Sequence, residues 1–279
     1  YRAYFALPKS IKGADGEPVN ALLGTVNAML AAEEALADRG GPRAIVACTG
    51  AEEAAYRVRL YPPYHAHRDP MPPELARQWK LAPKLLASLG WTVQGSEELE
   101  ADDVMFSFAR GEAEAGGRAL LLTGDRDLFQ AVGEHTAILE LRKDGKPQEI
   151  GPQQVRERYG IDPEQVPDFI ALRGDPSDGL PGAPGIGAKT AAELLRRHGS
   201  LEGALSAVRR SPTSERPRTV AALSENEERL EDFKRIATLV AIDVQRPPNR
   251  ATDFAAGAAM AGELGMRRLA TRLEGMITA

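Results

Sequence analysis

Three groups of carboxylates are spaced along the chain in a way that could hold metal ions. Glu100, Asp102 and Asp103 fall at the start of a helical stretch. Asp125 and Asp127 follow directly on the apolar run from Arg118 to Thr123, and Asp175 and Asp178 sit in the turn sequence GDPSDGLPG. Ligands of an open parallel sheet bind beyond the carboxyl ends of its strands, so Asp125 is expected there with the other groups converging on it. Converging carboxylates repel, at several kcal/mol per pair for a separation of about 4 Å in a partly dry cleft. Bound cations or raised pKa values make such a cluster tolerable. Hard oxygen donors without Cys or His point to Mg²⁺ or Mn²⁺. Two such ions about 4 Å apart suit phosphodiester hydrolysis, one activating water and both stabilising the transition state. Taken singly, each group reads better as solvated acids at a cap or turn. The pair that follows a strand directly, joined by the next feature, favours the ligand reading.

That feature runs from Leu180 to Ala191, where a glycine-rich turn opens a helix. The backbone N–H groups around Gly182, Gly185, Ile186 and Gly187, with the helix dipole, can hold a phosphate without reading a base. Lys189 adds charge and Thr190 continues the turn into the helix. The run looks like a helix-hairpin-helix element for the DNA backbone. Residues 182–220 carry a local balance of +4, whereas the whole chain, with 35 basic and 40 acidic residues, carries −5. A uniformly basic nucleic-acid binder is therefore excluded, but a local basic patch is not. Aromatic residues make up only 5%, which argues against a stacking platform for single strands. The single Cys48 rules out an internal disulfide or a thiolate cluster and reads as buried filler. No apolar run approaches the roughly 18 residues of a membrane span, and no leader is visible, so the expected setting is the cytoplasm, with no membrane partner.

The elements that must position these groups alternate. Helical spacing covers 17–36, 74–89 and 101–114; short strand patterns cover 44–48, 91–93, 118–123 and 136–141. Residues 127–132 look helical. The proline-rich 60–73 is read as a surface loop. The expected architecture is α/β, a mostly parallel central sheet flanked by helices. After about residue 150 the character changes to short helices over 152–159, 163–173, 188–198, 201–209 and 224–239, with a polar loop at 211–218. The division expected is an α/β core over 1–150 and a helical subdomain over 151–279. A last helix closing at 276–279 favours a stand-alone protein over a domain of a longer one.

In order and spacing these stretches resemble the bacterial 5′ nuclease/flap endonuclease family, nearly end to end. The resemblance is carried by Tyr1 to Phe5, by GEPVNALLG at 16–24 and by Tyr64 to Leu75. It continues through EADD at 100–103, TGDRDLFQ at 123–130, GDPSDGLPG at 174–182 and GIGAKTA at 185–191. It implies a PIN-like 5′ nuclease fold with a helix-3-turn-helix at about 174–200 that grips duplex DNA, with K⁺ on its carbonyls. It implies Glu100, Asp102, Asp103 and Asp125 around a first metal, and Asp125, Asp127, Asp175 and Asp178 around a second. Arg2 and Arg57 would hold the scissile phosphate or 5′ end. The segment 60–73 would form an arch or clamp over the single-stranded end, with Tyr64 and His65 contributing to catalysis.

The chain departs from that pattern in three places. The family has a strand before Tyr1 carrying a metal-ligand Asp, so the chain is expected to be truncated there. The next family strand ends in an Asp where this chain has Gly50. A Lys normally follows the arch Tyr, and here it is His65, which as an imidazolium still donates a hydrogen bond. The function expected is a divalent-metal-dependent 5′–3′ exonuclease and 5′-flap endonuclease of replication and repair, acting as a monomer on DNA. The alternatives are a degenerate relative that binds branched DNA without cutting it, and a PIN-like RNase.

Overall fold

The computed structural model describes residues 1–142, 147–213 and 215–277. The chain begins with the short helix α1 (Arg2–Ala6) and α2 (Asn20–Glu34), followed by strand β1 (Val46–Thr49). Helices α3 (Ala55–Leu60) and α4 (Pro73–Ser88) lead to β2 (Thr92–Gly95), α5 (Ala101–Glu114) and β3 (Ala119–Leu122). A 3₁₀ turn (Asp127–Ala131) connects to β4 (Thr136–Leu141) and β5 (Pro147–Ile150). The second half is helical: α6 (Pro152–Tyr159), α7 (Val166–Arg173), α8 (Ala188–His198), α9 (Leu201–Arg210), α10 (Pro217–Ser224), α11 (Glu227–Ala237), α12 (Phe254–Glu263) and α13 (Arg267–Ile277). Thr278 and Ala279 of the expected final helix, and Ser214 of the expected 211–218 loop, lie outside the described residues. The rest of that loop is cut short at Pro217, whose fixed φ suits a first helical position.

The strands form two small sheets where the sequence suggests one. β1 pairs in parallel with β2, Val46 opposite Thr92. β3 pairs in parallel with β4, Ala119 opposite Thr136, and β5 adds antiparallel to β4, Ile138 opposite Ile150. Among the described residues no strand lies between β1 and β3. A cleft of about 1220 Å³ stands there instead. Consecutive residues 43–49 and 118–124 line it. Side chains alternate across a strand, so an unbroken run on one wall means that both strands present a backbone edge.

Two apolar cores hold the elements. One runs from Tyr64 on the proline-rich segment through Leu121, Ile138 and Phe169 to Phe233 and Leu239, joining α5 and β3–β5 to the helical half. The other unites α2 and α4 with α12 and α13. The last helices thus return to the amino-terminal half, delivered by the irregular strap 238–253. Helix α2 starts later than its spacing suggests because the Val19 N–H bonds the Ile11 carbonyl, leaving Pro18 outside the helix. No helix among the described residues is long and apolar enough to cross a membrane.

Candidate active site

The acids expected to converge come from three loops at one end of the strands. Helix α5 opens at Glu100, whose backbone N–H bonds the Asp103 carboxylate. This reciprocal cap fixes the first turn and sends the three acids in different directions. Asp103 turns inward and is fully buried. Its oxygens accept from both Arg57 guanidinium nitrogens at 2.8 Å and from the Val240 N–H at 2.8 Å. Glu100 accepts from Ala54 N–H at 2.9 Å and from the Tyr64 hydroxyl, and lies 3.0 Å from Arg57. Only Asp102 has no hydrogen-bond partner among the described residues and faces the other acids.

Asp125 and Asp127 follow β3 directly. The Thr123 hydroxyl accepts from the Asp125 N–H, and Asp125 accepts from the Asp127 N–H, so the turn is knitted by its own side chains. The turn 174–182 is closed by a pair of backbone bonds between Asp175 and Leu180. Gly174 (φ +80) and Gly182 (φ +68) lie face to face there; a Cβ on Gly174 would come within 2.6 Å of the Leu180 carbonyl. Only glycine permits both the conformation and the approach. Asp175 accepts from Ser177 N–H at 2.8 Å and from Arg173. Asp178 meets His65 Nε2 at 3.2 Å and the Arg68 guanidinium at 3.0 Å.

The expected surface loop 60–73 is exposed only in part, because Tyr64 and His65 are both buried. Its turns are closed by backbone bonds from Tyr64 to Tyr61, Ala66 to Pro63 and Arg68 to His65. His65 is the one non-glycine residue with positive φ among the described residues, at 58°. That costs about 1–3 kcal/mol and is what lets both its N–H and its ring reach Asp178. The ring stacks on Tyr64 at 3.8 Å.

The electrostatics mark one cluster. Burial first, then the charges of Asp125, Glu100 and Asp103, push the Asp102 carboxyl up to about 7. Burial, then Asp125, Asp178, Asp175 and Asp102, carry Asp127 well above the usual carboxylate range. Asp125 is raised for similar reasons. Burial also works on Asp178, but the His65 and Arg68 contacts prevail and hold it low. As they stand, no three of these groups among the described residues are close enough to grip an ion. The donor set nonetheless fits a hard divalent cation: it is all oxygen, burial and neighbouring carboxylates raise Asp102, Asp125 and Asp127, and Arg57 is spent on Asp103 and Glu100.

The raised values belong to the folded chain, so the protonated cluster contributes stability that is lost as the pH rises from about 4 through about 7. For Asp102 the loss is up to about 4 kcal/mol. The metal-free chain is expected to melt lower near pH 8 than near pH 5. Mg²⁺ should raise the midpoint near pH 8 and far less near pH 5, where protons occupy the carboxylates. Scanning calorimetry checks this; a metal-free midpoint that climbs over the interval would contradict the cluster.

Among the other residues picked from the sequence, Arg2 is exposed and lies over the corner that holds Asp125. A Cβ on Gly124 would fall on its guanidinium. Arg57 is 3% exposed, and its Nε donates to the Ile236 carbonyl. Asp103 and Arg57 form a buried pair that positions the first turn of α5. Arg68 escaped the sequence reading, although its spacing of three residues from His65 placed it on the same turn. At the second site, Ile186 and Ala183 are buried, while Gly185, Gly187 and Lys189 are exposed at the start of α8. The first N–H groups of that helix have no intrahelical acceptor. Lys189, Arg196, Arg210, Arg216 and Arg218 around it are exposed and form no ion pair among the described residues.

Residues 1–160 match the model of the 5′-3′ exonuclease N-terminal resolvase-like domain, and residues 161–254 that of the 5′-3′ exonuclease C-terminal SAM fold. A 5′-3′ exonuclease of Streptomyces coelicolor is 38% identical over 223 residues, covering 75% of this chain and 72% of the relative. A 5′-3′ exonuclease of Mycobacterium tuberculosis is 33% identical, covering 96% and 90%. DNA polymerase I of the same organism is 40% identical over 203 residues, which are 72% of this chain but 22% of the polymerase, so the chain matches about a fifth of that length. In fold, T5 5′-exonuclease with bound zinc superimposes with a TM-score of 0.64 at 16% identity, covering 93% of this chain and 90% of that one. The catalytic core of Rad2 in complex with DNA substrate does so with 0.61 at 13%, covering 91% and 84%. A resolvase-like α/β core followed by a small helical SAM fold is the arrangement that the two family models describe. The chain belongs to the 5′-3′ exonuclease family.

Proposed function

We propose that the chain is a divalent-metal-dependent, structure-specific 5′ nuclease that hydrolyses DNA at 5′ flaps and 5′ ends in replication and repair, in the bacterial cytoplasm. The observation that carries this reading is the set of acids Asp102, Asp125, Asp127, Asp175 and Asp178, of which burial and neighbouring charges raise Asp102, Asp125 and Asp127, followed along the chain by the exposed start of α8. Those five would hold the metal, which when bound supplies an activated water and neutralises charge developing on the phosphate. Arg2 and Arg68 flank the cluster from two sides and would orient the scissile phosphate. His65 holds Asp178, and Tyr64 holds Glu100, so the proline-rich segment fixes one acid from each of two loops. The α8 turn and the unpaired Arg and Lys side chains would grip the duplex backbone. Such contacts go to phosphates rather than base edges, so the choice of substrate would rest on DNA shape. The cleft between β1 and β3 suits an added strand, which the family resemblance places before Tyr1. The degenerate, non-cutting alternative finds no support among the relatives, which are named for exonuclease or polymerase activity.

The deciding experiment is cleavage of a labelled 5′-flap DNA in Mn²⁺, with a chelator control and Asp175→Asn. It is run on this chain and on a form extended at its amino end by the expected strand. Cleavage that needs the ion and is lost in the variant supports the reading. Retained flap binding without cleavage in either form overturns it. An RNA flap in parallel should be cut far more slowly.

Lys189→Ala is expected to weaken duplex binding by a similar factor for all sequences. The slope of log affinity against log salt should flatten by about 1. Fluorescence anisotropy at several salt concentrations measures it; a loss confined to one sequence would contradict backbone gripping.

A further inference from the structure

We infer that the Thr49–Gly50 corner of this chain is closed to metal, so that it binds one divalent ion tightly, on the Asp125, Asp127, Asp175 and Asp178 side. The inference rests on the metal-nuclease reading above and narrows it. In the family the chain resembles, an acid stands at this strand end; here Gly50 follows β1. The simplest account would be a missing ligand in an otherwise open pocket. The packing says otherwise. A Cβ built on Gly50 comes within 2.6 Å of the Leu99 carbonyl, and closer still to Ala101 N and the Glu100 carbonyl carbon. All three are backbone atoms, at the first turn of α5. Gly50 has no positive φ, so space alone demands glycine. No side chain, acidic or otherwise, enters unless the helix start moves.

Two further observations show the corner built shut. Chain 95–101 is laced over it: Ala51 N–H bonds the Leu99 carbonyl at 2.9 Å, and Ser96 N–H bonds the Thr49 carbonyl at 3.3 Å. Gly95, opposite Thr49 in the β1–β2 register, is itself a position where a Cβ would strike the Thr49 hydroxyl. The α5 acids beside the corner are also committed. Asp103 is fully buried on Arg57, and Glu100 is shared among Arg57, Tyr64 and Ala54. The guanidinium provides a fixed positive charge where a first ion would need both carboxylates. Asp102 alone reaches from α5 toward the remaining cluster.

The test is Mn²⁺ titration of the purified chain, followed by electron paramagnetic resonance of the free ion and by calorimetry. One tight ion per chain is expected, with any second ion about tenfold or more weaker. Asp178→Asn should remove the tight ion. Gly50→Asp and Gly50→Ala should both lower the thermal midpoint, and neither should add a tight ion, because the obstacle is steric for both. Two ions of comparable affinity on the unaltered chain would overturn the inference while leaving the nuclease reading intact. So would a Gly50→Asp variant that gains a tight ion at undiminished stability, or a Gly50→Ala variant as stable as the parent. No Mn²⁺ binding at all, with no flap cleavage, would overturn both.

Discussion

Asp125→Asn is expected to lower 5′-flap cleavage about a thousandfold or more, an effect of about 4 kcal/mol on the barrier, while duplex binding stays unchanged. The substitution keeps the shape of the turn, because an amide oxygen can still accept the Asp127 N–H that Asp125 accepts. What it removes is a charge that raises both Asp102 and Asp127. The fold should therefore gain while activity falls. The metal-free chain should melt higher than the parent near neutral pH, and added Mg²⁺ should stabilise it less. Cleavage rates, binding isotherms and metal-dependent melting on one preparation read all three effects. Undiminished metal-dependent cleavage would remove Asp125 from the site. A lowered metal-free midpoint would mean that the acids are not in mutual repulsion.

The elements that read cleanly from the sequence carry their own punctuation. Helix α5 has the Glu100–Asp103 cap, α6 runs from Pro152 to a left-handed Gly160, and α8 lies between Gly187 and Gly199. Their expected bounds, and those of β4, coincide with the observed ones. Where local signals fade, the reading failed. Helices α1 and α3 span fewer than two turns and carry no cap signal. Helix α12, FAAGAAMAGE, is small and apolar on every face, so it shows no periodicity; it is placed by packing on α4 and α13. Strand β5 exists through its pairing with β4 rather than through its own composition. One parallel sheet was a fair inference from alternating elements, but a break between β1 and β3 leaves no local mark.

The site divides in the same way. The acids were legible because residue type and position after a strand suffice to suggest them. Their orientation was not. Nothing local to EADD tells which of its three acids turns inward, because that is decided by Arg57, 46 residues earlier, and by the Val240 N–H, 137 residues later. Gly50 read as a lost ligand, but the approach of α5 that forbids one is a tertiary fact. His65 read as a substitution for Lys, but its left-handed backbone and its bond to Asp178 come from the turn at 61–68 meeting the turn at 174–182.

Arg57→Ala is expected to destabilise the chain by about 3–5 kcal/mol, the cost of leaving a buried carboxylate without its partner. Asp103 has no exposure to solvent, so it cannot recover hydration. The carboxylate charges of Asp103 and Glu100 hold the guanidinium ionised against the opposing effect of burial. Lysine should not rescue the loss, since it offers one ammonium where Asp103 takes two parallel N–H bonds and Ile236 a third. Replacing the pair together, as Arg57→Met with Asp103→Leu, should cost less than either single change, because the fully buried Asp103 charge is then not stranded and Glu100 keeps its bonds to Ala54 and Tyr64. Urea unfolding of the four proteins measures the cycle. A phosphate-holding arginine would behave differently: alanine would leave stability alone and weaken DNA binding, and lysine would restore much of it. The geometry favours the first outcome, because every donor it engages points at protein. The same pair ties α3 and α5 to the end of α11 through Ile236 and to the strap after it through Val240. Breaking it should therefore also slow cleavage, by freeing the first turn of α5 and with it Asp102, the one α5 acid that faces the cluster.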